Sequence, residues 1–220
     1  QPLQGLRLLV VEDNLLNQQV ARELLARKGA EVEVAGGGLI GVDKALAAEP
    51  SYHAILMDMQ MPVMDGIEAT ESIRSREMRR SWVVSQEFKP VCIIAMTANA
   101  MEGDRDRCLQ AGMNDYVSKP VKPEELYAAI DRGLGRVGSG EVESAEKSSS
   151  MTTTSLDLNA AMRDLGDRDL LRTMAGMMIK EWDQHLSRIQ KDIQENNVAQ
   201  LCLDAHTVKS LLAIFHAETT

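Results

Sequence analysis

At 220 residues with 44% hydrophobic content, the chain can bury one sizeable core and a second, smaller unit. A net charge of -9 with no basic cluster argues against nucleic acid or an anionic membrane surface as a direct partner, because phosphate binding needs concentrated Lys and Arg. Cys92, Cys108 and Cys202 are scattered and odd in number, which offers neither a disulfide framework nor a zinc site and fits a reducing cytosol.

Taken in order, the first part alternates strand and helix. Residues 6–11 form a continuous apolar run, as in a strand covered on both faces. Residues 15–28 follow with Leu16, Val20, Leu24 and Leu25 at helical spacing, ending at Gly29. Strands are then expected at 31–35, 54–57, 91–96 and 115–118, and helices at 39–48, 66–80, 101–111 and 123–136. That alternation predicts a parallel sheet with right-handed crossovers, an α/β fold of the doubly wound, flavodoxin-like kind with helices on both faces. Glu31 and Glu33 suit the second strand to an edge, and ligands in such sheets sit at the carboxyl ends of the strands.

Polar residues stand at those ends: Glu12 and Asp13 after Leu8 to Val11, Asp58 after Ala54 to Met57, Thr97 after Ile93 to Met96, and Lys119 after Asp115 to Ser118. Singly, each has a plain structural reading. Asp13 or Asn14 caps the first helix, Thr97 caps the fourth, and Lys119 before Pro120 is a solvated loop lysine. Jointly those readings weaken, since independent caps have no reason to fall on strands one, three, four and five of one sheet. Crowded carboxylates repel unless a cation sits among them, and all-oxygen ligation suits a hard ion such as Mg2+, with Mn2+ a substitute. Such a site can place a phosphoryl group beside one carboxylate, which attacks phosphorus and forms an acyl phosphate.

The motifs Val-Glu-Asp at 11–13, Met-Asp-Met-Gln-Met-Pro-Val-Met-Asp-Gly at 57–66, Met-Thr-Ala-Asn-Ala at 96–100 and Tyr-Val-Ser-Lys-Pro at 116–120 together resemble the receiver domain of two-component signalling. The resemblance covers residues 6–136 and implies a sheet order of 2-1-3-4-5. It also implies that Asp58 is the phosphoacceptor, Asp13 a direct metal ligand, Glu12 a second acid acting largely through water, and the Gln60 backbone carbonyl another ligand. Thr97 and Lys119 would contact the phosphoryl group, Tyr116 would rotate in a switch coupled to Thr97, and the Lys119-Pro120 bond would be cis. The stretch 75–89 is longer than a minimal receiver needs, and sequence leaves a helical extension and a surface loop open.

At 137–155 Gly, Ser and Thr replace the apolar periodicity, predicting a flexible linker between a domain at 1–136 and one at 156–220. Beyond it Leu170, Leu171, Met174, Met177, Met178, Trp182, Leu186, Ile189 and Ile193 read as one long helical stripe, implying antiparallel packed helices. The methionines are most simply core filling. A last helix at 198–216 has Val198, Leu201, Ala205, Val208, Leu212 and Phe215 on its apolar face, with His206 and Lys209 one turn apart beside it. In an arbitrary helix that pair is two solvated residues. Here Asp204-Ala-His-Thr-Val-Lys-Ser210 resembles the signature of histidine phosphotransfer domains, which implies His206 as a phosphoryl carrier and Lys209 as its anion-attracting neighbour. Ser210 stands where that family commonly has Gly, and the helix expected to close the bundle after Thr220 is either cut away or supplied by another chain. His53, His185 and His216 have no such company and read as structural.

The two resemblances together imply the C-terminal part of a bacterial hybrid histidine kinase. Its partners would be the kinase domain of the parent protein as phosphodonor and a downstream response regulator, without nucleic acid or membrane contact. No apolar run reaches membrane-spanning length and the chain opens with Gln-Pro, so it reads as an excised cytoplasmic fragment. Two other readings stay open: a helical tail that serves only interaction or dimerisation, and an Asp-nucleophile phosphatase. The second is weakened by Gln60, where such enzymes carry a further acid.

Overall fold

The apolar runs pair side by side because strands buried on both faces can satisfy their backbone groups only in a sheet. The computed structural model describes residues 2–83, 89–98, 102–136 and 168–214. Strands β1 (Arg7–Val11), β2 (Glu31–Ala35), β3 (Ala54–Asp58), β4 (Cys92–Thr97) and β5 (Asp115–Ser118) form one parallel sheet in the order β2-β1-β3-β4-β5. The central β3 and β4 are buried at every position, whereas Glu31 of the edge strand β2 is exposed.

Alternation along the strands builds a core on each face. Leu8, Val10, Leu56, Ile94 and Met96 pack with Ala21 and Leu25 of α1 (Leu15–Arg27) and with Leu126 and Ile130 of α5 (Pro123–Gly133). Leu9, Val11, Ile55, Met57 and Ile93 point to the other face, toward Val42 of α2 (Gly38–Ala47), Ile73 of α3 (Gly66–Val83) and Cys108 of α4 (Glu102–Gln110). The sheet order and flanking helices are those expected from the sequence. Thr97 differs slightly: it is the last residue of β4 rather than the cap of α4.

The stretch at 75–83 continues α3, which settles part of the choice between helix and loop; 84–88 lie outside the described residues. Its base is clamped. Arg74 donates to the Gly112 carbonyl at 2.9 Å and to Glu77 at 2.7 Å, and Glu77 in turn accepts from the Val91 backbone at 2.8 Å.

Two further helices, α6 (Arg168–Gln194) and α7 (Val198–Ile214), are joined at 195–197 and pack on each other. The expected linker at 137–155, the segment 156–167, Phe215 and His216 lie outside the described residues, as do the side chains of His206 and Ser210. The single apolar stripe read from the sequence is split. Leu171 and Met174 are buried against Leu16, Val20 and Leu24 of α1, whereas Ile179, Leu186 and Ile193 are 75%, 41% and 61% exposed. Those three repeat every seventh position and so share a face turned away from α1. Val198 and Ala205 of the expected apolar face of α7 are likewise exposed. No helix among the described residues is long and apolar enough to cross a membrane.

Candidate functional site

Parallel register brings the polar residues of the strand ends together. Val11 lies beside Met57 and Asp58 beside Met96, so Glu12 and Asp13 leave β1 level with the end of β3. One carboxylate oxygen from each of Glu12, Asp13 and Asp58 lies within 4.8 Å of the others, and Glu12 and Asp58 are buried. Gly66 lets the loop after β3 fold back: a Cβ there would stand 2.3 Å from the Asp58 carbonyl oxygen.

Lys119 reaches this cluster from the end of β5. Its ammonium lies 2.7 Å from Glu12 and 2.8 Å from Asp58, with all of these side chains nearly inaccessible. The Lys119 backbone N-H donates to the Thr97 carbonyl at 2.6 Å and its bond to Pro120 is cis. Burial and then the Glu12 charge push the Asp58 carboxyl up to about 7, against the opposing pull of Lys119. Asp13 is raised for the same first two reasons. Burial lowers the Lys119 ammonium, but the Glu12 and Asp58 charges and their hydrogen bonds outweigh it, leaving it raised. One lysine thus balances the acids only in part, which suits the crevice to a hard, oxygen-seeking divalent cation.

The remaining expected residues fall as follows. Gln60 is exposed at the rim and donates its backbone N-H to Asp58 at 3.1 Å. Thr97 is buried beside the end of β5, and Tyr116 is half-buried with Arg105 over its ring at 5.9 Å. Lys209 is exposed on α7, the helix that also carries His206. Asn14 is the cap of α1, accepting from Leu16 and Asn17 at 3.0 Å, so the capping alternative belongs to it and not to Asp13.

Two features escaped the sequence reading. Asn17 donates to Glu12 at 3.0 Å, fixing the same carboxylate that Lys119 holds; its place on the first turn of α1 was the available signal. His185 was read as structural, yet it lines a cavity of about 340 Å³ between Asp13, Gln60 and Pro62 on one side and Arg188 and Asp204 on the other. No sequence signal marks it, because the contact depends on how α6 lies across α1.

Residues 8–131 match the family model described as response regulator receiver domain. The chain is 38% identical over 128 residues to hybrid signal transduction histidine kinase I of Dictyostelium discoideum, covering 57% of this chain and 7% of that protein. It is 31% identical over 217 residues to the sensor protein GacS of Pseudomonas syringae, covering 97% of this chain and 22% of that protein. Among solved structures, the yeast complex of the histidine phosphotransfer signalling protein Ypd1 with the receiver domain of Ssk1 matches with a TM-score of 0.52. That match is 35% identical and covers 59% of this chain and 88% of that one. The chain therefore spans only a small share of the relatives it matches, and those relatives include eukaryotic as well as bacterial proteins. With its 2-1-3-4-5 sheet, its acids gathered at the strand ends and a family match over more than half its length, the chain belongs to the response regulator receiver domain family.

Proposed function

We propose that the chain is a phosphorelay segment in which Asp58 accepts a phosphoryl group from a kinase histidine and passes it on to His206. The observation that carries this reading is the cluster of Glu12, Asp13 and Asp58, in which the Lys119 ammonium bridges the buried Glu12 and Asp58. Asp13, Asp58 and the Gln60 carbonyl would hold Mg2+ or Mn2+, with Glu12 acting through water; the bound ion would neutralise the phosphoryl oxygens and hold Asp58 ionised. Asp58 attacks phosphorus through a carboxylate oxygen, the O-P bond forms as the donor N-P bond breaks, and the leaving imidazole keeps the electron pair and takes up a proton. Lys119 and Thr97 stabilise charge on the equatorial oxygens. The switch would run through Thr97 and Tyr116, and Tyr116 is half-buried against the core that holds Ile93 and Ala95.

For the onward step, a neutral His206 imidazole attacks the aspartyl phosphate and Lys209 draws the anion. The GacS similarity supports this, because it extends over the helical segment as well as the receiver. The yeast complex supports a histidine phosphotransfer partner for a receiver of this kind. The domain limits follow as a receiver at 1–136, a linker at 137–155 and a phosphotransfer-like unit at 156–220, within a hybrid histidine kinase whose kinase domain is the donor and whose acceptor is a downstream regulator. A second reading, in which α6 and α7 serve interaction alone, is favoured by the packing of α6 on α1. Phosphorylation followed by base treatment separates the two, since phosphohistidine survives base and an acyl phosphate does not. Base-stable label lost in His206→Gln supports the relay; its absence from the wild type supports the interaction module.

A further inference from the structure

The cavity at the join of the two units belongs neither to the sheet core nor to the interface formed by Leu171 and Met174. Its receiver wall includes Asp13, which shares the acidic cluster, and Gln60, whose backbone is bonded to Asp58. Its opposite wall carries His185 and Arg188 from α6. His185 is 7% exposed, and its Nε2 makes no hydrogen bond among the described residues; Glu181 Oε2 stands 3.9 Å away, beyond hydrogen-bond reach. A polar nitrogen buried without a partner is costly, so a site that keeps one is suited to a ligand that satisfies it. Arg188, one turn further along, is exposed at its rim and has no ion pair among the described residues. Glu181 and Asp204 also line the space, so an anion is favoured only close to Arg188 and the cation held by the receiver acids.

We propose that His185 and Arg188 are positioning residues for the phosphoryl group on Asp58, donating N-H groups to its outward oxygens and shielding it from water. The inference rests on Asp58 being the phosphoacceptor. Asp13 and Gln60 join the cavity to the crevice that holds Asp58, and its volume of about 340 Å³ has room for a phosphoryl group together with water. Arg presents a fork of donors matched to phosphoryl oxygens, and an imidazole N-H at Nε2 supplies one more. No bond to phosphorus forms or breaks at either residue.

The test uses the full chain, labelled with acetyl phosphate and Mg2+ and then freed of donor. The half-life of the base-labile phosphate is measured with His206→Gln present throughout, so that label is lost to water alone, in the chain wild-type at 185 and 188 and with His185→Asn, Arg188→Met or Arg188→Lys. Loss of either donor is expected to shorten the half-life about fivefold, with Arg188→Lys restoring part of it. Arg188 is exposed, so its variants report even if His185→Asn folds poorly. Beryllium fluoride with Mg2+ should also move the His185 Nε2 resonance in the wild type and leave it unmoved in Asp58→Asn. Normal labelling of Asp58 with half-lives within about twofold of the wild type and an unmoved Nε2 resonance would overturn the inference while leaving the phosphoacceptor intact. Failure of wild-type Asp58 to label would instead remove the proposed function, and this inference with it.

Discussion

Lys119 holds the acidic crevice together, since its ammonium is shared between Glu12 and Asp58. Removing one partner of a buried ion pair strands the other, so Lys119→Met should destabilise the metal-free protein by about 3 kcal/mol, read by urea unfolding at neutral pH. Asp58 acts in the opposite sense. Its carboxyl is raised from 3.8 to about 7, so it contributes stability that is full below the ordinary value and lost as pH rises through about 7. Mg2+ competes with that proton. Its effect on Tm should therefore be larger at about pH 8 than at about pH 5.5, and a pH-independent effect would contradict the assignment of the cluster as the metal site. The residue identities at this site were legible because each stands at the end of an expected strand, with Glu12, Asp13, Asp58 and Thr97 behind apolar runs. What was not legible is that Lys119 spans two acids, or that Asn17 braces Glu12, since both depend on side-chain directions that strand spacing does not encode.

At the scale of elements, the loop after β3 and helix α1 do most to position the site. Gly66→Ala would press a Cβ onto the Asp58 carbonyl, which is backbone and cannot yield cheaply. A loss of about 2 kcal/mol or more in chemical denaturation, with slower labelling of Asp58, is expected. Helix α1 presents two apolar stripes, Ala21 and Leu25 toward the sheet and Leu16, Val20 and Leu24 toward α6. The sequence shows all of these positions as apolar but cannot say which cover the sheet. That ambiguity hid the docking of α6. Met174 is fully buried in this contact, and Met174→Lys should release α6 from α1 with a rise in its hydrogen exchange, while sheet amides keep their protection. The reverse pattern would mean that the helices are needed for the receiver to fold.

Across the whole molecule, a receiver and a helical pair meet at the edge of the acidic crevice, so the site proposed to take up phosphate also faces the unit proposed to receive it. The alternation of strands and helices was readable along the receiver because the buried central strands leave unbroken apolar runs, and β2 and β5 fall at the same spacing between helical segments. The helical unit was harder to read, because a stripe of apolar residues does not reveal how many neighbours cover it. Ile179, Leu186 and Ile193 show the consequence, lying exposed on a helix whose other face is buried. The most direct test of the account is to label the full chain with acetyl phosphate and Mg2+, reduce the product with borohydride, which converts an aspartyl phosphate to homoserine, and map the modified residue by mass spectrometry. The account predicts conversion at Asp58, lost on chelation of the metal and in Asp58→Asn; conversion at another carboxylate, or equal labelling of Asp58→Asn, would contradict it.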